Sequence, residues 1–290
     1  MKNKGRRLPT RSFMCTRAST LCTSKATCAQ SLPANVRHIQ WNELQASCSG
    51  AIVLIGKGTF ARCYYMKLGA MKVCVKILNS GEKYKALFCA EARILALLCH
   101  RNLPWLHAVS DDSSKIAIIM TYHSYEGDKS LSIYDALSKK VEMHKSGWQQ
   151  VLLGCTSALI YLRSKDILHN DIKSDNILIE TTESGSVRAI LVDFNKACLS
   201  GEGRFYTLSP SEKKRYAKNH PQIAPEVREG YSCQTFASDL YAFGRIVYKI
   251  NDIILTIPHL HSLSLLCLSI DTVKRPTANE LKKSFTNLFH

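Results

Sequence analysis

The stretch Ile167-Leu168-His169-Asn170-Asp171-Ile172-Lys173-Ser174-Asp175-Asn176-Ile177-Leu178 decides how this chain folds. Its polar centre is bracketed by Ile167-Leu168 on one side and Ile177-Leu178 on the other. A plain surface turn leaves those two apolar flanks unexplained. A loop held between buried segments explains them, and such a loop presents a carboxylate (Asp171), a lysine two places on (Lys173) and an amide five places on (Asn176). Downstream, Leu191-Val192-Asp193-Phe194-Asn195 brings a second carboxylate out of an apolar run. Upstream, Val73-Cys74-Val75-Lys76 sets a lysine at the inner end of an apolar strand, where burial is costly without an anionic partner. Glu91, fifteen residues further on, falls among the apolar positions of a helical pattern and supplies that partner.

The rest of the chain is consistent with this order. Ala51 to Ile55 is an apolar run leading into Gly56-Lys57-Gly58. Tyr64 to Leu68 and Met71 to Leu78, separated by Gly69-Ala70, predict a strand, a turn and a strand. Tyr84, Leu87, Phe88, Ile94, Leu95 and Leu98 predict a helix around Glu91, and Ile116 to Met120 a further strand. A long helix is predicted from Trp148 to Ser164, and from Ala237 onward the pattern is helical.

These strings, in this order and spacing, resemble the protein kinase family over roughly residues 50 to 290. The resemblance implies an α+β fold of two lobes, a small β-rich N-lobe at about 46–122 and a helical C-lobe at about 123–290. It also implies transfer of the ATP γ-phosphate, with Mg2+, to protein hydroxyls. Gly56-Lys57-Gly58-Thr59 would be the glycine-rich loop, where glycine lets backbone N–H groups approach phosphate oxygens. Lys76, paired with Glu91, would meet the triphosphate. Cys63, Cys74 and Met120 would line the adenine pocket above Leu178. Asn176 and Asp193 would hold Mg2+, with Asp171 as the base and Lys173 neutralising the transferring phosphoryl group. The lysine two places after Asp171 is similar to serine/threonine kinases rather than tyrosine kinases. Ala224-Pro225-Glu226 with Arg275, and Asp239, resemble structural elements of the same family.

Four departures from the family pattern bear on regulation and substrate. Asn170 replaces the arginine that usually binds a phosphate on the activation segment, which implies basal activity or control by other means. Asn195 stands for the glycine after Asp193-Phe194, a position where tolerance of positive φ matters. Asn219 stands where a threonine usually contacts the catalytic aspartate and lysine. Only 36 positions separate Asp239 from Arg275, so the docking region for protein substrates reads as trimmed. The alternatives are a nucleotide-binding pseudokinase scaffold and a kinase-like phosphotransferase acting on small molecules.

Composition sets outer bounds. The formal net charge is +16, and no acidic residue precedes Glu43. Residues 1–45 therefore read as a disordered basic Ser/Thr-rich tail, with a mitochondrial presequence as the less favoured alternative to a plain cytoplasmic protein. No nucleic-acid motif is present, and no apolar run is long enough to span a membrane. The twelve cysteines are scattered without a CxxC pair, which argues against zinc and predicts reduced, buried thiols.

Overall fold

A computed structural model describes residues 36–79, 85–112, 115–139 and 141–287. The N-terminal part is an antiparallel sheet built from β1 (Cys48–Lys57), β2 (Ala61–Leu68), β3 (Met71–Leu78), β4 (Leu106–Asp111) and β5 (Ile116–Thr121), in the order β1-β2-β3-β5-β4. Gly69 closes the β2–β3 hairpin at φ +59°, a backbone angle at which glycine carries no steric cost. Alternation along the strands gives the sheet two faces of different character. Met66, Val73, Val75, Ala117 and Ile119 pack on one face with Leu44 of helix α1 (Trp41–Ala46). The opposite face carries Cys63, Cys74, Lys76 and Met120, with Cys63 registered against Lys76 and Cys74 against Met120.

Helix α2 (Lys85–Ala96) lies against β4 and buries Phe88, Glu91, Ala92 and Leu95. The C-terminal part is mostly helical. α3 (Ile133–Ser138) follows the two-residue strand β6 (Leu131–Ser132), and α4 (Lys145–Ser164) runs through the core with Trp148, Val151 and Leu152 fully buried. β7 (Ile167–Leu168), β8 (Ile177–Thr181) and β9 (Val187–Leu191) carry the central loops; β8 pairs with β6 and β9, and β7 pairs with β10 (Cys198–Leu199). Then come α5 (Pro210–Asn219), α6 (Pro225–Arg228), α7 (Phe236–Ile250), α8 (Pro258–Cys267) and α9 (Ala278–Thr286). A Cβ added at Gly244 would sit 2.3 Å from Cys267 Cβ, so only glycine lets α7 and α8 approach this closely. The two helices are joined by one π-turn, Asn251–Leu255, and two further residues, which accounts for the short span from Asp239 to Arg275.

Two expectations are corrected here. The basic tail was expected to run to residue 45, and residues 1–35 lie outside the described residues. Residues 36–45, however, belong to the fold. His38 bridges to Val109 in parallel, the Trp41 N–H donates to Asp112 Oδ2 at 2.6 Å, and Leu44 is 1% exposed. A six-residue helix is too short to show a hydrophobic period, so this docking left little trace in the pattern. The thiols also depart from expectation. Cys155 and Cys267 are buried free thiols, pushed up to about 12 by burial. Cys99 is exposed, and Cys89 is disulfide-bonded rather than reduced. Apolar flanks report where a sulfur sits, not whether another sulfur meets it.

Candidate active site

The site forms where the open face of the sheet meets the loops following β7 and β9. Lys76 is drawn inward on β3, and its ammonium donates to Glu91 Oε1 at 2.6 Å, Glu91 Oε2 at 2.8 Å and Asp193 Oδ1 at 2.8 Å. Burial alone would lower the lysine's pKa, but the two carboxylates hold it well above the ordinary lysine range. The Phe194 N–H favours the charged form of the Glu91 carboxylate, and the Lys76 ammonium links α2 to the segment after β9. Phe194 is 1% exposed and meets the His169 ring edge-on, with centroids 4.7 Å apart.

The 167–178 loop is held from beneath by one carboxylate. Asp239, in the first turn of α7, accepts the His169 N–H at 2.8 Å and the Asn170 N–H at 2.9 Å. Asn170 adopts φ +63°, a conformation that asparagine tolerates better than most side chains. Its amide donates to Lys196 O at 3.2 Å and Cys198 Sγ at 3.1 Å, a neutral link from this loop to the segment beyond Asp193. Asn176 Nδ2 donates to the Asp171 carbonyl at 2.9 Å and to its carboxylate at 3.3 Å, fixing the loop's curvature.

Burial pushes Asp239 up to about 6, against the two N–H groups that favour its ionised form. This folded value exceeds the ordinary aspartate value, so the group's contribution to stability is fully present below about pH 4 and lost as pH rises through about 6. At about 1.4 kcal/mol per pH unit, the effect is on the order of 3 kcal/mol. Urea unfolding of the wild type and Asp239→Asn should therefore show the wild type's relative stability falling between about pH 4 and about pH 6 and levelling off above that. A difference that stays constant with pH would rule this out.

Asp171 is 6% exposed, yet its carboxyl lies below the usual range. Burial would raise it, but the Lys196 ammonium at 2.8 Å and that of Lys173 at 3.5 Å outweigh the burial. Lys196 is the residue that sequence reasoning missed. It stands three places after Asp193, just past the Asp193-Phe194-Asn195 string, and its position in the chain is the local signal for it. Asn219 was expected in the threonine's place beside Asp171. It instead ends α5 exposed, and the side-chain hydrogen bonds described on Asp171 come from Lys196 and Asn176. The expected positive φ at Asn195 falls instead on Asp193, at +67°, which turns that carboxylate toward Lys76. The Oδ1 atoms of Asn170 and Asn195 are buried without a partner.

The remaining predicted positions surround this cluster. Gly58 N–H donates to Ala61 O at 2.9 Å, and Asn79 clasps the Gly58 and Thr59 carbonyls at 3.3 and 3.0 Å, so the Gly56–Thr59 turn is braced from β3's end. Lys57 is exposed, while Met120 and Leu178 are half-buried on β5 and β8. Cys63 and Cys74 hydrogen-bond to each other; that bond, helped by Lys76, lowers the Cys63 thiol despite its burial. The same bond, together with burial, raises Cys74. Arg275, with no exposed side-chain surface, grips Glu226 through two bonds at 2.6 and 2.7 Å. Among the described residues no cluster of three His, Cys, Asp or Glu could hold a metal by itself, and no helix is long and apolar enough to cross a membrane.

The family model described as protein kinase domain matches residues 51–262. The chain is 30% identical over 182 residues to NUAK family SNF1-like kinase 2 of Rattus norvegicus, covering 60% of this chain and 28% of that protein. It is 27% identical over 203 residues to serine/threonine-protein kinase DCLK3 of Mus musculus, covering 67% of this chain and 23% of the other. To CBL-interacting serine/threonine-protein kinase 5 of Arabidopsis thaliana it is 25% identical over 202 residues, covering 67% and 42% respectively. The chain thus spans less than half the length of these curated relatives.

Proposed function

Because this chain belongs to the protein kinase family, with its kinase domain over residues 51–262, we propose that it transfers the γ-phosphate of ATP to serine or threonine hydroxyls of proteins. The observation that carries the reading is the Lys76 ammonium held between Glu91 and Asp193, in a chain that also keeps Asp171 ionised. A buried lysine with two carboxylate partners is fixed in position and cannot swing to solvent, so it can meet triphosphate oxygens without reorganising.

Asp193 and Asn176 both offer hard oxygens, the donor type that Mg2+ takes when most of its other ligands are waters and phosphate oxygens. When bound, Mg2+ neutralises charge on the phosphates. The residues of the chain do the rest. The braced Gly56–Thr59 turn covers the phosphates, while Cys63, Cys74, Met120 and Leu178 enclose the base. Asp171 orients the acceptor hydroxyl. As its oxygen bonds to the γ-phosphorus, the bond to the β–γ bridging oxygen breaks and the hydroxyl proton passes to Asp171. Lys173 and Lys196 keep that carboxylate ionised beforehand and face the charge spreading over the phosphoryl oxygens. The Asn170 link needs no phosphate, which supports activity without prior modification of the 193–226 segment. The domain assignment, a basic tail ahead of a kinase domain with its N-lobe ending near residue 122, belongs to the same proposal.

The test is transfer from γ-labelled ATP with Mg2+ to a generic protein substrate and to the chain itself. Phosphoserine or phosphothreonine that disappears in Asp193→Ala is the expected result. ATP binding to folded protein without any transfer would leave a nucleotide-binding module, and transfer confined to small alcohols would move the substrate away from proteins.

A further inference from the structure

Helix α5 buries none of its residues, yet it is firmly held. Ser209 and Glu212 form a capping box at its start. Lys213 donates to Glu229 O at 2.8 Å and lies 3.4 Å from the Glu229 carboxylate. Tyr216 contacts the rings of Tyr206 and His220, with centroids 6.2 and 5.0 Å away. The helix closes the segment that begins at Lys196, whose ammonium sits 2.8 Å from the Asp171 carboxylate, and the charge of Asp171 is felt at both Tyr206 and His220. A helix with no core to cover, fixed next to a site, is free to present its outer surface to something else.

That outer surface is basic. Lys214, Arg215 and Lys218 are exposed, and Lys214 and Lys218 share a face at i, i+4. Lys173 and Lys196, 36% and 49% exposed, continue the positive surface to Asp171. Residues 195–220 hold six Lys or Arg against Glu202 and Glu212, and Glu212 is engaged in the helix cap. The exposed carboxylates on the other side of the balance are Glu202 and, in the 167–178 loop, Asp175, and Glu212 lies 3.8 Å from Arg215. A single-sign surface beside a site raises the local concentration of ligands of the opposite sign and repels those of its own.

We infer that the surface formed by Lys214, Arg215, Lys218 and Lys196 receives an acidic peptide segment, so that the preferred protein substrates carry Asp and Glu next to the phosphorylated hydroxyl. This rests on the proposed kinase reading for the chemistry but not for the binding, so the two can be tested separately.

The experiment compares two fluorescent peptides of equal length around one serine, flanked by Glu and Asp in one and by Arg in the other. Binding to the full chain is read by anisotropy, and kcat/KM by phosphate transfer. The acidic peptide should bind and react about tenfold or more better at low salt, with the gap closing as salt is added. Lys214→Glu/Lys218→Glu should remove most of the gap while leaving ATP binding unchanged. Lys282→Glu/Lys283→Glu on α9, which changes the net charge equally, should leave the gap in place. Equal or tighter binding of the Arg peptide would overturn the inference, as would equal losses in the two charge-reversed variants. Preferential acidic-peptide binding without transfer would support the surface and count against the activity instead.

Discussion

Asp171→Asn lowers kcat by about 10²- to 10⁴-fold while ATP binding stays within a factor of a few, the range that removal of a general base typically costs. The variant separates chemistry from folding because asparagine keeps the side chain's shape. The loop's anchors do not depend on the lost charge. Asp239 holds the N–H groups of His169 and Asn170, and Asn176 bonds the Asp171 carbonyl rather than only its carboxylate. Lys196, half exposed, can be solvated once its partner is neutral. No hydrogen bond links Asp171 to Lys76, Glu91 or Asp193 among those described, so the nucleotide-facing cluster keeps its geometry. Steady-state transfer and nucleotide titration on the same preparation check this. A fall in kcat of less than tenfold would remove Asp171 from the proton-accepting role.

Arg275→Ala unfolds the protein more readily without touching the reacting groups. The guanidinium has no exposed surface and does four things at once. It grips both oxygens of Glu226, donates from Nε to Ser269 O at 2.9 Å, donates to Ala237 O at 2.9 Å, and lies over the Tyr241 ring at 5.0 Å. Removing it leaves Glu226, 12% exposed, as an unpaired carboxylate and takes a donor away from the Ser269 and Ala237 carbonyls. Breaking a buried pair from one side costs about 3–5 kcal/mol. In a domain of this size each kcal/mol moves Tm by about 2–4 °C, so a fall on the order of 6–20 °C is expected. Glu226→Ala/Arg275→Ala should recover part of the loss, because no charge is then stranded. A drop in Tm of under about 3 °C in the single variant would mean that α6 is secured elsewhere.

Much of the fold was legible because its signals are local. The strand pair around Gly69, the helix carrying Glu91 and the long helix α4 each have a period that burial imposes on the sequence itself. The Lys76–Glu91 pair was legible for a similar reason: a lysine in an apolar strand and a glutamate on an apolar helix face each need a partner of opposite charge. Asp171, Asn176 and Asp193 stood out through their apolar flanks. Other features were not legible, because they depend on which distant segments come together. Lys196 reaches Asp171 across 25 residues only because Asp193 turns at positive φ and redirects the chain. The Cys63–Cys74 contact exists because the β2–β3 register sets Cys63 opposite Lys76, two residues from Cys74. Residues 36–44 have no pattern of their own and become ordered by docking on the sheet.

The sequence alone therefore determined the order of the lobes and the family, and it singled out the residues proposed to carry the chemistry, since each follows from residue type and spacing within a short window. Tertiary structure alone decided the partner of Asp171, the role of Asn170 as a neutral clasp and the basic helix standing beside the site. Those depend on contacts between segments far apart in the chain, and a contact energy is determined by the folded geometry rather than by either segment's composition.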